Sequence, residues 1–175
     1  MLNFEHVTPG FRDIDKVKEL YAAAFPARER GPLEKLVSHD LPGSELIALY
    51  DGNEFVGLVS TLTAGDITHI IYLAIRGDLR GHNYGSRAIE LCRRIFPGQR
   101  IIADLEAPDE NAGNAGERIR RTHFYAKNGF ERTEIAYEWQ GENYVIWSLG
   151  GTVTSDEFDK FWENFYEDGK AGSEF

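Results

Sequence analysis

Residues 71–92, IYLAIRGDLRGHNYGSRAIELC, set a loop rich in glycine and arginine between an apolar run and a helix-forming one. At such a junction successive backbone N–H groups converge on one spot, and the helix N-terminus adds partial positive charge. Arg76, Arg80 and Arg87 add full charges to the same segment. The combination suits a phosphate or pyrophosphate. It is not the Walker pattern G-x-x-x-x-G-K-[ST], nor G-x-G-x-x-G with an acidic residue about 20 positions on. Taken alone it is a modest signal, because a solvated loop of the same composition binds nothing. Cys92, on the apolar face of the helix, reads as a small buried hydrophobe rather than a nucleophile.

The elements that would carry this loop follow from the pattern. Residues 2–7 suit a short strand. Asp13 stands as an N-cap before Ile14, Val17, Leu20, Tyr21, Ala24 and Phe25, a helical spacing that Pro26 ends. A charged loop and a short second helix come next. SELIALYDGNEFVGLVSTLTAG folds as a hairpin around Asp51–Gly52, and ITHIIYLAI adds a third strand to an antiparallel meander. Ala88, Leu91, Cys92 and Ile95 give the following helix its apolar face. RIIADLEA reads as a buried strand, and the next helix, through Ile119, Phe124 and Tyr125, stops at Asn128–Gly129. A second hairpin turns at Gly141. Thr154 and Glu157 form a capping box before the stripe Phe158, Phe161, Trp162 and Phe165. The fold class is therefore α+β, with helices flanking a mixed central sheet and a right-handed crossover over residues 66–106.

Charge singles out the same region. The 175 residues carry a net charge of −10, yet residues 76–132 hold 11 Lys/Arg against 8 Asp/Glu, leaving 8 against 21 elsewhere. An acidic chain of this kind argues against nucleic acid and anionic membranes as partners. One cysteine excludes a disulfide framework and a Cys-rich metal site, and no metal is expected. No apolar run approaches about 18 residues, and MLNFEHVTPGFRD has no signal-peptide pattern. The expectation is a cytoplasmic protein with a single domain over residues 1–169. KAGSEF at 170–175 reads as a flexible tail, or GSEF as a cloning scar.

Two motifs together carry a resemblance. Arg80-Gly81-His82-Asn83-Tyr84-Gly85 resembles the R/Q-x-x-G-x-G/A signature of the GNAT superfamily of N-acetyltransferases. HFYAKNGFE, residues 123–131, resembles that family's second signature, a helix ending in F/L-Y-x-x-x-G-F. The strand RIIADLE and the upstream LYAAAFP fall in the family's order, so the likeness covers residues 10–150. It implies a GNAT-like sheet of six to seven strands with an additional C-terminal helix. It also implies acetyl-CoA as co-substrate and direct transfer of the acetyl group to a primary amine in a ternary complex. The family's pantetheine contacts fall on the main chain of Leu73, Ala74 and Ile75, and its pyrophosphate cradle on Arg80, Gly81, His82, Asn83, Tyr84, Gly85 and Ser86. Asn83 replaces the middle glycine of the signature, and Asn is the residue after Gly that best tolerates positive φ. Arg118 stands where many members put a pantetheine-contacting Asn, leaving Asn111 or Asn114 as the substitute.

The catalytic roles follow from the same resemblance. Tyr125 matches the tyrosine that donates to the coenzyme sulfur, and a phenol with a reference pKa of about 10 holds its proton at neutrality. His69 takes the place of the strand glutamate of histone-acetylating members. An imidazole can accept a proton near neutrality, though His69 equally suits lining the sheet. Ile71 stands where other members have a glutamate and cannot act. Glu106 is the second candidate base, or a solvated strand end. Arg28, Glu29 and Arg30 lie in the loop expected to face the acceptor, a small-molecule or protein amine. Trp139 and Trp147 read as core or interface residues. Two other readings stand beside the enzyme. One is a non-catalytic module that binds acyl-CoA; the other is an interaction protein, or homodimer, using the C-terminal helix.

Overall fold

The computed structural model describes residues 1–166. Seven strands form one sheet: β1 (Leu2–His6), β2 (Ser44–Asp51), β3 (Glu54–Ala64), β4 (Ile67–Ile75), β5 (Arg100–Glu106), β6 (Glu131–Trp139) and β7 (Glu142–Leu149). The helices are α1 (Ile14–Ala24), α2 (Leu33–Ser38), α3 (Tyr84–Ile95), α4 (Ala115–Lys127) and α5 (Ser155–Glu163). The sheet runs β1-β2-β3-β4-β5-β7-β6, and only β4 and β5 are parallel neighbours. The α+β sequence reading holds, including the meander, the crossover through α3 and the C-terminal helix. The expected tail at 170–175 lies outside the described residues.

Strand alternation sorts the core onto two faces. Ile70, Ala103 and Leu105 pack with Ala88, Ile89 and Cys92 of α3 and Tyr125 of α4 on one face. On the other, Tyr72 and Ala74 pack under α1 and α2, while Ile67, Ile102 and Ile146 pack under Phe161 of α5. The α5 capping box is present as expected, with the Thr154 side chain accepting from the Glu157 N–H. Asp13 departs from expectation. It precedes α1 but makes no cap hydrogen bond; its carboxylate accepts from the Tyr50 hydroxyl at 2.7 Å and pairs with Lys16 at 2.9 Å.

The central irregularity lies in β4. Ser60 pairs with Tyr72 and Thr61 with Ile70, so Ile71 is an extra residue that bends the strand. The parallel ladder to β5 ends at Ile70–Ala103, although β4 continues to Ile75 and β5 to Glu106. On its other side, β3 stays close to the bent end of β4 because residue 57 is glycine. A Cβ there would lie 2.4 Å from the Ala74 carbonyl oxygen. Gly57→Ala is therefore expected to cost about 2 kcal/mol of stability, measured by urea unfolding; a change of a few tenths would show that β4 accommodates the methyl group.

Candidate active site

Beyond Ile70–Ala103 the two strands run on without pairing to each other, leaving a gap in the ladder, and α3 follows β4 in the chain after a short loop. The first N–H groups of a helix have no intrahelical acceptor, so Tyr84, Gly85 and Ser86 present donors there. Asn83 leads into the helix at φ 64°, in the left-handed region, and Gly81 has φ 81°. The asparagine thus holds the conformation that its tolerance of positive φ allows. Gly85 serves packing: a Cβ would meet the Phe124 ring at 2.9 Å, so glycine lets the start of α3 approach α4.

Only one of the three expected arginines is available. The Arg76 guanidinium binds Asp78 at 2.5 Å, Glu54 at 3.1 Å and the Phe55 carbonyl at 2.8 Å. Arg87 pairs with Asp51 at 3.1 Å and lies over the Tyr84 ring, whose hydroxyl donates to the same carboxylate at 2.8 Å. Arg87 thus pins the start of α3 to the β2–β3 hairpin, and Arg76 ties the end of β4 to β3. Arg80 is exposed, and its guanidinium has no partner among the described residues.

Tyr125 projects from α4 into the core beside Phe124 and Phe130, with ring centroids 5.1 and 5.0 Å away. Its hydroxyl makes no hydrogen bond among the described residues. Burial pushes its pKa up to about 12; Arg121 opposes this, while Asp104 and Cys92 add to it. The phenol is a protonated donor waiting for an acceptor. The Cys92 thiol is buried as expected and likewise pushed up to about 12 by burial.

The two candidate bases sit in different settings. Glu106 is no solvated strand end but is 8% exposed, with Arg118 at 3.0 Å, Arg121 at 2.7 Å and the Asn114 amide at 3.0 Å. Burial works to raise its pKa, but the bonds from Asn114 and Arg121 and the nearby arginine charges outweigh it and hold the carboxyl below its ordinary value. Asn114 also accepts from Arg118 at 2.8 Å, so both ends of its amide are engaged within the chain. Arg118 reaches Glu142 at 3.0 Å as well. His69 is 1% exposed and sealed beneath Phe158, Phe161 and Trp162; its Nε2 lies 2.6 Å from Asp104.

Sequence reasoning missed Asp104 and Tyr137, whose hydroxyl donates to Asp104 at 2.5 Å. One signal was present: Asp104 shares its strand parity with Glu106. Glu29 was expected in the loop facing the acceptor, either as a substrate contact or as a surface charge. The Tyr72 hydroxyl donates to the Glu29 carbonyl at 2.8 Å and the Tyr21 hydroxyl to the Gly31 carbonyl at 2.9 Å, tethering the loop above the sheet. Burial, then the charge of Glu106, raises the pKa of the Glu29 carboxyl against the opposing arginines Arg28 and Arg121. Trp147 packs at the edge of the α3–α4 core, and Trp139 lies beside Tyr144. Among the described residues no group of three His, Cys, Asp or Glu side chains is placed to hold a metal ion. None of the described helices is long and apolar enough to cross a membrane.

This arrangement has relatives. The model of the acetyltransferase (GNAT) family matches residues 14–130, and the chain belongs to that family. No curated protein matches it. Among solved structures, a GNAT-family protein from Bacteroides thetaiotaomicron has a TM-score of 0.77 at 17% identity, covering 92% of this chain and 94% of that one. A spermidine N-acetyltransferase SpeG chimera from Vibrio cholerae and hSSAT has a TM-score of 0.62 at 16% identity, with 85% and 94% covered. A GNAT family acetyltransferase from Elizabethkingia anophelis with acetyl-CoA bound has a TM-score of 0.59 at 14% identity, with 85% and 97% covered. At these identities the likeness is one of fold.

The lowered pKa of Glu106 has a consequence for stability. A carboxyl depressed on folding contributes stability above its unfolded value and loses it as pH falls through the folded one. Unfolding free energy is therefore expected to decline below about pH 4.5, and Glu106→Gln to flatten that decline. An unchanged acid slope in the variant would place the effect on other carboxyls.

Proposed function

We propose that this chain transfers the acetyl group of acetyl-CoA to a primary amine by direct attack in a ternary complex. The observation that carries the reading is the β4–β5 gap, bordered by the open start of α3 and by the unbonded hydroxyl of Tyr125. Backbone N–H groups of residues 84–86 and the unpartnered Arg80 suit the pyrophosphate. Asn83 keeps the left-handed turn into the helix, so the loop retains the path that the family signature needs. Leu73, Ala74 and Ile75 lie beyond the last rung to β5, where main-chain groups on that edge are free for a pantetheine arm. Bound there, acetyl-CoA supplies an activated acetyl thioester. Tyr125 is the acid for the leaving sulfur, its burial keeping the proton in place until then. Asn114, engaged by Glu106 and Arg118, contributes to the shape of the site. The acceptor enters from the α1–α2 side, beneath the tethered loop that carries Glu29. The acidic balance outside residues 76–132 favours a cationic acceptor.

Two measurements test the reading. Saturating acetyl-CoA is expected to raise Tm by several degrees, and thiol release is expected with at least one amine of a panel spanning diamines, amino sugars, amino acids and peptides. Tyr125→Phe is expected to lower kcat about 100-fold while keeping the coenzyme-dependent rise in Tm. Unchanged turnover in that variant would remove the acid role. A Tm rise with no acceptor turned over would favour the non-catalytic acyl-CoA-binding module.

A further inference from the structure

A histidine–carboxylate pair, its histidine buried and its carboxylate partly exposed, is left without a task in this scheme. Asp104 directly follows Ala103, the last β5 residue paired to β4, so it stands where the gap begins. Its side chain is 31% exposed, whereas His69 behind it is 1% exposed. One carboxylate oxygen lies 2.6 Å from His69 Nε2, and the other accepts from the Tyr137 hydroxyl at 2.5 Å. An ionised carboxylate only accepts, so the His69 proton lies on Nε2. His69 Nδ1 is buried with no partner among the described residues, and a second ring proton there would be an unsatisfied donor. Two donors, one of them packed under α5, thus fix the carboxylate while one side of it remains open.

The position matters as much as the contacts. By alternation with Ile102, Asp104 belongs to the face under α5, while Tyr125 comes from the α3–α4 face. Nevertheless the Asp104 charge is among those acting on the Tyr125 hydroxyl. Other titratable groups around Asp104 are Glu106 on its own strand, Tyr144 of β7 stacked on Tyr137, and Tyr166 after α5. Neither expected base is equally free: Glu106 is occupied by Asn114, Arg118 and Arg121, and His69 is sealed from the acceptor.

Resting on the transferase reading above, we propose that Asp104 is the catalytic residue on the acceptor side, receiving the N–H of the attacking amine, with His69 and Tyr137 as its positioning residues. The acceptor ammonium first gives one proton to solvent; the nitrogen lone pair so freed forms the bond to the acetyl carbon and the carbon–sulfur bond breaks. One nitrogen proton passes to Asp104, and the Tyr125 proton goes to the departing sulfur. Through solvent, the proton on Asp104 then replaces the one lost by Tyr125, leaving both groups as they began.

The test uses the full chain and the amine of the panel that turns over fastest. Asp104→Asn preserves the side-chain shape. It is expected to lower kcat/KM about 100-fold or more and to leave the affinity for acetyl-CoA within about two-fold. Tyr137→Phe removes one of the two donors that hold the carboxylate, so kcat should fall several-fold with the KM for acetyl-CoA unchanged. Nitrogen NMR of the coenzyme-free protein should show the His69 proton on Nε2, with a shift of that resonance in Asp104→Asn. Turnover of Asp104→Asn within about three-fold of wild type would overturn the proposal and leave the transferase reading standing. An unchanged kcat in Tyr137→Phe, or a His69 proton on Nδ1, would also overturn it. Failure of the wild-type protein to release thiol with any amine would instead remove the transferase reading itself, and this assignment with it.

Discussion

Backbone N–H and C=O groups within a sheet must find partners, and the β4–β5 ladder stops while both strands continue. The extra residue Ile71 bends β4 away, and Gly57 lets β3 follow the bend at close range. The result is a gap in the ladder, with the facing edges of the two strands no longer paired to each other. Other features of the site are arranged around it. The start of α3 borders one side, Tyr125 arrives from the helix layer behind, and Asp104 stands at the last rung. A flat, fully paired sheet made from the same strands would keep those groups on opposite sides of a closed wall.

Charged residues around the gap divide into those that build and those that stay free. Arg76 and Arg87 are engaged by carboxylates of the β2–β3 hairpin and of their own loop, so they hold the end of β4 and the start of α3 rather than a ligand. Glu106 and Arg118, both buried, form with Asn114, Arg121 and Glu142 a network that closes the loop between β5 and α4. A buried charge is costly without a partner, which is why these groups appear in mutually satisfied sets. Arg80 has no such obligation. It can meet an incoming anion without first breaking an internal pair.

Much of this was legible in the sequence, for identifiable reasons. Apolar periodicity gave the elements, Asn128–Gly129 and Thr154–Glu157 marked helix ends, and the glycine–arginine loop announced the open start of α3. What escaped were relations across strands. Nothing local distinguishes Arg80 from Arg76 or Arg87, because their partners Asp51 and Glu54 lie on another hairpin. His69 was noticed as a titratable strand residue, but its burial depends on α5, about ninety residues later in the chain. Asp104 looked like the polar position of an otherwise apolar strand until the end of the ladder and Tyr137 gave it a place. Asp13 had the right type for a cap, yet Tyr50 offered its carboxylate a better-placed donor.

Cys92 is the chain's single cysteine, packed between α3 and the sheet with its thiol firmly protonated. The native protein is therefore almost silent toward thiol-reactive dyes. If the proposed transfer releases a thiol, such a dye would read it with little background from Cys92. Conversely, slow labelling of Cys92 would report the opening of α3 from the sheet, so one reagent can follow both turnover and the loosening of the helix that borders the site.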